Sequence, residues 1–213
     1  MKGVLVSCEG VEGAGKSSTL RHLAKYLRFL GADVVLTREP GGTPLAEEIR
    51  KALLWGQNDN EVMHPDTELL LVYASRAQHY RTLVKPALEN CRIVLTDRWA
   101  DSSRCLQSAA GNVPLERWNI INDYVLDGFK PDLTLLFDLP VSVGASRAKK
   151  RGKLDYFEKK GPEFHERVRA GFLEIAREDP DRFRMIDADR PRKNVREQVK
   201  ALIPEILRLH LGH

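Results

Sequence analysis

Short apolar runs alternate with amphipathic segments along the whole chain. Five runs are rich in β-branched and leucine residues and lack regular polar alternation, which is typical of strands buried on both faces of a parallel sheet. These strands are predicted at Val4–Cys8, Asp33–Thr37, Arg92–Thr96, Leu133–Phe137 and Arg184–Ile186.

The segments between the strands carry apolar residues at helical spacing. Because strands and helices alternate without an internal repeat or a linker-like stretch, we expect residues 1–213 to form one α/β domain with right-handed crossovers. Seven helices are predicted, at Lys16–Leu30, Pro44–Leu54, Pro65–Asn90, Leu115–Leu126, Val141–Arg151, Pro162–Arg177 and Pro191–Leu211.

Composition narrows the class of protein. The chain has 213 residues, of which 42% are apolar and 30% charged, and these values are ordinary for a soluble enzyme. It shows neither the ~20 consecutive apolar residues of a membrane span nor a signal-peptide pattern, so we expect a cytoplasmic protein without a membrane partner. The three cysteines lack metal-ligand or disulfide spacing and are interpreted as reduced thiols, with Cys8 and Cys91 expected to be buried beside strands.

The first chemical motif lies between the first predicted strand and the first predicted helix. Residues 10–17 match G-x-x-x-x-G-K-[ST], a loop whose backbone N–H groups and following helix N-terminus attract phosphate. Lys16 adds a cation for the β- and γ-phosphates, and Ser17 can hold Mg²⁺. An ordinary glycine turn is the alternative interpretation. The donor-phosphate site is predicted at Gly10, Val11, Glu12, Gly13, Ala14, Gly15, Lys16, Ser17 and Ser18.

Charged residues follow every predicted strand. Ligands of open α/β sheets bind at the carboxyl ends of the strands, so these residues are expected to meet along one edge of the sheet. Any strand must end in something polar, and a single position therefore carries little weight, whereas the whole set indicates a site. The set comprises Glu9, Arg38, Glu39, Asp97, Arg98, Asp138 and Asp187.

The positive charge of the chain is concentrated in one segment. The net charge is +4 and the pI is near 9.0, which fits either an enzyme of phosphorylated small molecules or a nucleic-acid binder. Residues 147–160 hold seven cationic side chains against two acidic ones, a local charge of +5. Together with Gly152 and Gly161, this predicts a mobile basic lid over approximately residues 147–161, with a solvated helix end as the alternative.

Four stretches, in this order and spacing, resemble bacterial thymidylate kinases, a family of P-loop nucleoside monophosphate kinases. They are E-G-V-E-G-A-G-K-S at 9–17, T-R-E-P-G-G-T at 37–43, A-S-R at 74–76 and T-D-R-W at 96–99. The resemblance runs from about residue 3 to residue 210. It implies a P-loop NTPase-like three-layer α/β sandwich with a five-stranded parallel sheet and a short basic lid. It also implies transfer of the γ-phosphoryl group of ATP to dTMP, with Mg²⁺, by a homodimer.

The resemblance assigns catalytic roles to charged residues. Arg98 matches the arginine that clamps the acceptor phosphate, and Asp97 would orient it or contact the Mg²⁺ shell. A simple ion pair at the strand end is the alternative for these two residues. Relatives with a glycine at the place of Gly13 bring arginines from the lid, so Arg147 and Arg151 are the candidates, with Lys149 at a place where relatives often carry arginine. The catalytic set is Lys16, Asp97, Arg98, Arg147 and Arg151.

The resemblance also places the two nucleotides. Glu12 would accept a hydrogen bond from the 3′-hydroxyl of the acceptor, and Arg76 would hydrogen-bond the thymine ring. Asp187 and Ala188 would line the adenine of ATP. The remaining acceptor-side residues implied by the family are Arg38, Glu39, Pro40, Arg50, Val72, Arg98, Trp99 and Arg104.

Four of the positions near the base depart from the pattern of the family. Relatives usually have phenylalanine where this chain has Val72, and tyrosine or histidine where it has Trp99. Arg104 and Leu106 stand where relatives offer an amide and an aromatic ring. These changes leave the phosphate machinery intact and alter the base pocket. Another or a modified deoxynucleoside monophosphate is therefore the alternative acceptor.

Three other classes of protein compete with a kinase. A GTPase switch would show D-x-x-G and N-K-x-D, and neither occurs in the sequence. A nucleic-acid-binding module would interleave aromatic and basic residues, and the basic segment has only Tyr156 and Phe157. A degenerate kinase would not be expected to keep Lys16, Ser17 and the Asp97–Arg98 pair. We therefore expect ATP and a nucleotide acceptor as partners, and no nucleic acid.

Overall fold

The computed structural model describes residues 1–55, 62–152, 156–157 and 159–212. Residues 153–155 and 158 of the expected lid lie outside the described residues. Within the described part of the chain, no helix has the length and apolar character needed to cross a bilayer.

Five parallel strands form one sheet in the order β2-β3-β1-β4-β5, which confirms the predicted fold class. The central strand β1 is buried along its whole length and pairs with β3 on one side and β4 on the other. The strand order reverses at β1, and this is where ligands bind in such sheets. The bounds are β1 Val4–Glu9, β2 Val34–Arg38, β3 Ile93–Asp97, β4 Leu133–Asp138 and β5 Phe183–Asp187.

Helices cover both faces of the sheet. Side chains of a strand alternate between faces, and Val4 and Val6 of β1 join one buried apolar cluster while Leu5 joins a second. The first cluster includes α1, α8, α9 and α10, and the second includes α3 and α6. The helix bounds are α1 Lys16–Phe29, α2 Pro44–Trp55, α3 Pro65–His79, α4 Lys85–Glu89, α5 Ala100–Ser103, α6 Leu115–Leu126, α7 Val141–Arg151, α8 Pro162–Glu178, α9 Arg192–Lys200 and α10 Ile203–Leu211.

Two of the predicted helices are interrupted at prolines. The segment predicted as Pro65–Asn90 is α3, a π-helical turn over Tyr80–Val84, and α4. The segment predicted as Pro191–Leu211 is α9 and α10, separated at Ala201 and Leu202. Pro86 and Pro204 have no N–H to donate, and their rings clash with the carbonyl of the preceding turn, so a regular helix does not pass through them.

Two further features differ from the sequence-based expectation. A short helix, α5, and a π-helical turn over Arg104–Ala109 follow β3, where no element is predicted. Their sequence is rich in serine and alanine and too short to show apolar periodicity. Cys91 is exposed, not buried, because it lies in the left-handed turn before β3 with φ 54°, whereas Cys8 is buried as expected.

Candidate active site

The phosphate-binding loop leaves the carboxyl end of β1 and passes close to β4. Gly10 has φ 132°, and a Cβ atom there would lie 2.3 Å from the carbonyl oxygen of Phe137. Gly15 is left-handed and precedes the first residue of α1. Only glycine is compatible with both the backbone angle and the close approach at residue 10. The loop therefore presents its N–H groups beside the N-terminus of α1, as phosphate binding requires.

Lys16 lies inside the loop. Its Nζ donates to the carbonyl oxygens of Gly10 and Val11, each at 2.9 Å, and its side chain is buried. Burial, followed by the nearby guanidinium of Arg98, lowers the pKa of Lys16. The carbonyl groups of Gly10 and Val11 thus hold this ammonium group in place.

Ser17 and Asp97 form the candidate Mg²⁺ site. The Ser17 hydroxyl donates to a carboxylate oxygen of Asp97 at the mouth of the cleft. A hydroxyl and a carboxylate are oxygen ligands of the kind that Mg²⁺ accepts alongside phosphates and water. No cluster of three or more His, Cys, Asp or Glu side chains with metal-binding geometry occurs among the described residues. The residues present therefore fit an ion shared with phosphate oxygens better than an ion held by protein alone.

Arg98 joins the loop after β3 to the phosphate-binding loop. It has a left-handed φ of 77°, which is rare outside glycine and frequent at functional sites. Its guanidinium donates to the carbonyl of Gly10 at 3.1 Å, to the Ser102 hydroxyl at 2.9 Å and to the Glu12 carboxylate. These contacts go beyond the simple Asp97–Arg98 ion pair that is the alternative interpretation. Asp97 itself bonds Ser17.

Glu12 is an ionised carboxylate in the middle of this cationic cluster. Burial alone would raise its pKa, but Arg98 and Lys16 outweigh that effect and lower the pKa of Glu12 to about 2. The charge of Arg151 acts in the same direction. A carboxylate that stays charged at neutral pH accepts hydrogen bonds and does not donate them.

The buried Glu9 supports the loop that carries Arg98. One carboxylate oxygen of Glu9 accepts from the backbone N–H of Trp99 at 2.7 Å, and the other accepts from the Ser102 hydroxyl. Burial, reinforced by the charge of Asp101, raises the pKa of Glu9 to about 8. Glu9 thus acts within the protein interior, where it supports the residues that follow Arg98.

Helix α7 packs closely against the phosphate-binding loop at two glycines, Gly13 of the loop and Gly144 of the helix. A Cβ at Gly13 would lie 2.2 Å from the carbonyl oxygen of Gly144, and a Cβ at Gly144 would lie 2.5 Å from that of Glu12. Residues three and seven positions after Gly144 lie on the same helix face, so this contact sets the places of Arg147 and Arg151. Both line the cleft. Arg147 also donates to the carbonyl of Ala188 at 2.7 Å.

The donor side of the site is a cleft of about 1020 Å³. It is lined by residues 12–19 of the phosphate-binding loop and of α1, by Arg38 and by Ala188. Asp187 is not in the lining, because its carboxylate turns back to Arg190 at 2.8 Å and to the N–H of Asp189 at 3.1 Å. Lys150 of the predicted basic lid also lines the cleft, and the cationic lining residues that the sequence analysis did not identify are Arg21, Arg190, Arg192 and Arg196.

A second cavity opens on the other side of Arg98. Of the predicted acceptor residues, it contains Glu12, Glu39, Pro40, Arg50, Val72, Arg76 and Arg98. Arg38 lies outside this cavity, in the donor cleft, and is paired with Glu47 at 2.9 Å. The sequence analysis did not assign five further lining residues. They are Leu54, Ser102, Ser103, Gln107 and Phe157.

Arg76 is the most tightly held side chain of this cavity. Its Nε donates to Glu39 at 2.7 Å, and one Nη group donates to the Trp99 carbonyl at 3.2 Å and the Ser103 hydroxyl at 2.9 Å. The Nδ1 of His79 donates to the second oxygen of Glu39 at 2.9 Å. Burial alone would raise the pKa of Glu39, but Arg76 and His79 lower it. The other nitrogen of Arg76, Nη1, is buried without a hydrogen-bond partner among the described residues.

Gln107 provides a complementary group. Its amide nitrogen donates to Glu68 at 2.9 Å, and its Oε1 is buried without a partner in the described part of the chain. A buried donor or acceptor that is left unpaired costs about 1–3 kcal/mol. One unpaired donor on Arg76 and one unpaired acceptor on Gln107 in a single cavity therefore indicate a polar ligand with the opposite pattern.

The structure places the side chains of two predicted acceptor residues outside the lining of this cavity. The ring of Trp99 is fully buried in the second apolar cluster, beside Tyr80 and Phe129, and only its carbonyl reaches Arg76. Arg104 lies on the outer side of the π-helical turn and forms two hydrogen bonds to Glu178, at 2.7 and 3.0 Å. Neither side chain lines the acceptor cavity, because the turn directs residues 103 and 107 inward and residue 104 outward.

Comparison with known proteins decides the family. The family model described as thymidylate kinase matches residues 8–199. The chain belongs to the thymidylate kinase family. A thymidylate kinase of Pseudomonas fluorescens (strain Pf0-1) is 50% identical over 212 residues and covers 100% of both chains. That of Pseudomonas putida (strain W619) is 48% identical, covering 96% of this chain and 98% of the relative.

A solved structure of the family shares this fold. The crystal structure of thymidylate kinase from Ehrlichia chaffeensis aligns with a TM-score of 0.77 at 30% sequence identity. The alignment covers 96% of this chain and 99% of that chain. The thymidylate kinase fold therefore extends over nearly the whole length of this protein.

Proposed function

We propose that this chain, acting as a single P-loop kinase domain, transfers the γ-phosphoryl group of ATP to the 5′-phosphate of dTMP and releases dTDP. The observation that supports this best is the way the two cavities meet. Glu12, Glu39, Arg50 and Arg98 line both the donor cleft and the acceptor cavity. A nucleotide in each cavity would therefore place its phosphate beside the same two arginines.

Charge neutralisation is the chief catalytic requirement for such a transfer. Two unit charges ~4 Å apart repel each other by ~4 kcal/mol at an effective dielectric constant of ~20. Lys16 and the loop N–H groups would bind the donor phosphates, and Arg98 would clamp the acceptor phosphate with its planar fork. Arg147 and Arg151 line the cleft on α7 and would stabilise charge on the transferred group.

Ser17 and Asp97 would hold Mg²⁺ together with the donor phosphates. When bound, the ion neutralises phosphate charge and orients the phosphoryl group. The residues of the chain determine where this charge is placed. Asp97 is the last residue of β3, one position before Arg98, so the same strand end would hold both the ion and the acceptor phosphate.

The polar groups of the acceptor cavity favour thymine. The unpaired Nη1 of Arg76 is a donor, and the unpaired Oε1 of Gln107 is an acceptor. Thymine offers a carbonyl oxygen next to a ring N–H, which matches both groups, whereas cytosine has an amino group and an unprotonated nitrogen at those places. The apolar side chains of Leu54, Val72 and Leu106 surround these groups. Each relative reported above is named thymidylate kinase, and no finding supports the alternative acceptor.

The ionised Glu12 favours a nucleotide with a free sugar hydroxyl. With a pKa of about 2, its carboxylate is charged at neutral pH and can accept a hydrogen bond from the acceptor's 3′-hydroxyl. The same carboxylate is held by Arg98, which would contact the phosphate. One ion pair thus links recognition of the sugar to recognition of the phosphate.

The oligomeric state and the location of the protein stay predictions. Along helix α3, Leu69, Val72 and Tyr73 are buried, and Leu70 is exposed. Ile120 and Tyr124 of the adjacent helix α6 are also exposed. An exposed apolar surface of this kind is consistent with the homodimer expected from the family. Cytoplasmic location stays an expectation from the sequence, and the interpretation of the cysteines as reduced thiols supports it.

An acceptor panel tests the proposed function directly. The purified enzyme is incubated with ATP, Mg²⁺ and each of dTMP, dUMP, dCMP, dGMP and dAMP, and diphosphate formation is measured. We expect dTMP to be the best acceptor, and Lys16→Ala prepared in the same way controls for contaminating kinases. Turnover of dGMP or dCMP at a rate that equals or exceeds that of dTMP would refute the assignment.

A further inference from the structure

The acceptor cavity has an aromatic wall that comes from the segment between α7 and α8. Among the described residues that line the cavity, Phe157 is the one aromatic side chain. The apolar residues that α3 and the π-helical turn provide are the aliphatic Val72 and Leu106. A nucleobase in this cavity therefore finds its only aromatic partner of the described chain in Phe157.

Lys160 contacts Phe157 and holds it near helix α3. Its Nζ donates to Glu68 Oε2 at 2.8 Å, and the Glu68 side chain is only 4% exposed. The same ammonium group lies 4.7 Å from the ring centre of Tyr156, 5.2 Å from that of Phe157 and 4.8 Å from that of Phe164. Such cation–π contacts add to the ion pair. A single cation thus joins Phe157 to helix α3.

Glu68 also contacts Gln107, a polar residue that lines the acceptor cavity. Its second oxygen, Oε1, accepts from the amide nitrogen of Gln107 at 2.9 Å. Because this bond occupies the nitrogen, the amide oxygen of Gln107 is the group left without a partner. Burial and the nearby Glu68 carboxylate together raise the pKa of the Tyr156 phenol, as expected for a phenol beside a carboxylate.

We propose that Phe157 is a base-binding residue, that the Lys160–Glu68 pair holds it against the acceptor cavity, and that Glu68 positions the Gln107 amide so that its oxygen accepts from the base. The ligand class is a pyrimidine with a ring N–H, and the proposal rests on the function proposed above. Phe157 packs on the face of the base, Gln107 reads its edge, and one buried carboxylate sets the position of both.

Replacing Phe157 tests the aromatic wall. We expect Phe157→Ala to raise the KM for dTMP and the calorimetric Kd for dTMP about 10-fold, because base–aromatic stacking is lost, and to leave the KM for ATP unchanged. Phe157→Tyr should restore most of the affinity. The matched control is Phe29→Ala, which removes an 85% exposed phenylalanine at the end of α1. An unchanged KM for dTMP, or an equal rise for ATP and dTMP, would overturn the proposal.

Replacing Glu68 tests the positioning of Gln107. In Glu68→Gln the new amide can donate to the oxygen of Gln107 and turn its nitrogen toward the base. We expect the preference for dTMP over dCMP, measured as the ratio of kcat/KM, to fall about 10-fold. A stability loss without a change in this ratio would mean that Glu68 has only a structural role, and would contradict the proposal.

Lys160→Met tests how Phe157 is held without changing the contact between Glu68 and the Gln107 amide. It is also the variant to use if Glu68→Gln does not fold. This variant removes the cation and keeps the Glu68–Gln107 hydrogen bond. We expect it to reproduce the rise in the KM for dTMP seen with Phe157→Ala while the dTMP to dCMP ratio stays intact. An unchanged KM for dTMP in Lys160→Met would overturn the anchoring role.

The outcome separates this inference from the proposed function. If the wild-type enzyme does not phosphorylate dTMP in the acceptor panel, the proposed function fails. If the wild type is active and the Phe157 and Lys160 variants behave like Phe29→Ala, the inference fails by itself and the proposed function stands.

Discussion

The donor and acceptor ends of the site are built in different ways. At the donor end, the groups that would bind phosphate come mainly from one continuous stretch, the loop and first turn of α1 over residues 12–19. At the acceptor end, Arg76, Gln107 and Phe157 come from three separate segments. Phosphate binding can be local because backbone N–H groups and a helix terminus supply it. Base recognition needs side chains with a fixed mutual geometry, which only tertiary packing provides.

The two ends also differ in how charge is handled. The donor cleft holds its cations at a surface open to solvent, as with Arg147, whose side chain is 39% exposed and lies 3.7 Å from Asp189. The acceptor cavity holds its charges in buried pairs, of which Arg76–Glu39 is the clearest, with both side chains 2% exposed. Loss of one partner of a buried pair leaves the other uncompensated, so the acceptor end is the less tolerant of substitution.

Loss of Lys16 should give the largest effect, at the donor end. We expect Lys16→Ala to lower kcat about 10³-fold, since the ammonium group within the phosphate-binding loop is removed. The measurement is steady-state phosphoryl transfer to dTMP. Lys25→Ala, an exposed lysine on the same helix, is the control and should retain full activity. A Lys16→Ala enzyme with activity within about 10-fold of wild type would show that the loop backbone suffices.

Arg98 should come next, since it lines both cavities. We expect Arg98→Ala to lower kcat/KM for dTMP about 10²-fold. Arg98→Lys should lower it by a smaller factor, because lysine keeps the charge but not the planar fork. Arg104→Ala is the matched control, because its guanidinium pairs with Glu178 outside the cavity. If Arg104→Ala raises the KM for dTMP as much as Arg98→Ala does, the placement of Arg104 outside the acceptor site is incorrect.

Glu9 gives a pH-dependent effect at the support of the acceptor clamp. Its pKa is raised from 4.5 to about 8 by burial and by Asp101, so the folded state binds a proton that the unfolded state releases. Binding of this proton stabilises the folded state, and the contribution is fully present below 4.5, the pKa of Glu9 in the unfolded chain. The contribution is lost as the pH rises toward 8, the pKa of Glu9 in the folded protein. We expect the wild type to lose about 2 kcal/mol of stability relative to Glu9→Gln between about pH 6 and pH 8.

Urea unfolding at each pH measures this difference. Glu163→Gln, at an exposed position of α8, is the control and should show no comparable divergence from the wild type. Parallel pH curves for wild type and Glu9→Gln would mean that Glu9 stays ionised in the folded protein.

Of the substitutions at Lys16, Arg98, Glu9 and Gly144, the one at Gly144 should have the smallest effect. It tests how helix α7 packs against the phosphate-binding loop. A Cβ at Gly144 would lie 2.5 Å from the carbonyl oxygen of Glu12, so α7 has to move away from the loop in Gly144→Ala. We expect kcat to fall about 10-fold as Arg147 and Arg151 shift from the cleft, with a smaller change in the KM for dTMP. Gly161→Ala, where a Cβ meets nothing within 4 Å, is the control.

The strands and the phosphate-binding loop could be predicted from the sequence because their signals are local. All five strands were placed within two residues at each end, and apolar runs identify them without knowledge of their neighbours. The helix after the loop was placed equally well. The breaks at Pro86 and Pro204 were missed because the apolar periodicity continues past each proline, and α5 was missed because it is too short to be periodic.

The acceptor cavity shows where sequence reasoning stops. Arg76 and Glu39 were identified through the family resemblance, but their ion pair joins residues 37 positions apart and appears only in the fold. Arg104 and Trp99 were assigned to the acceptor site by their places in the chain. In the structure, Arg104 lies in a π-helical turn that directs it away from the cavity, and the ring of Trp99 is buried in the core. Glu68 and Gln107 carry no motif that would have drawn attention to their hydrogen bond.

The sequence by itself determined the parallel α/β architecture, the phosphate-binding loop and the set of charged residues at the strand ends, because each depends on neighbours within a few positions along the chain. The tertiary structure decided which of those charges pair, where the unpaired donor and acceptor of the base cavity lie, and that Phe157 joins them. Such contacts depend on distances across the fold, and hydrophobic periodicity along the chain holds no information about those distances.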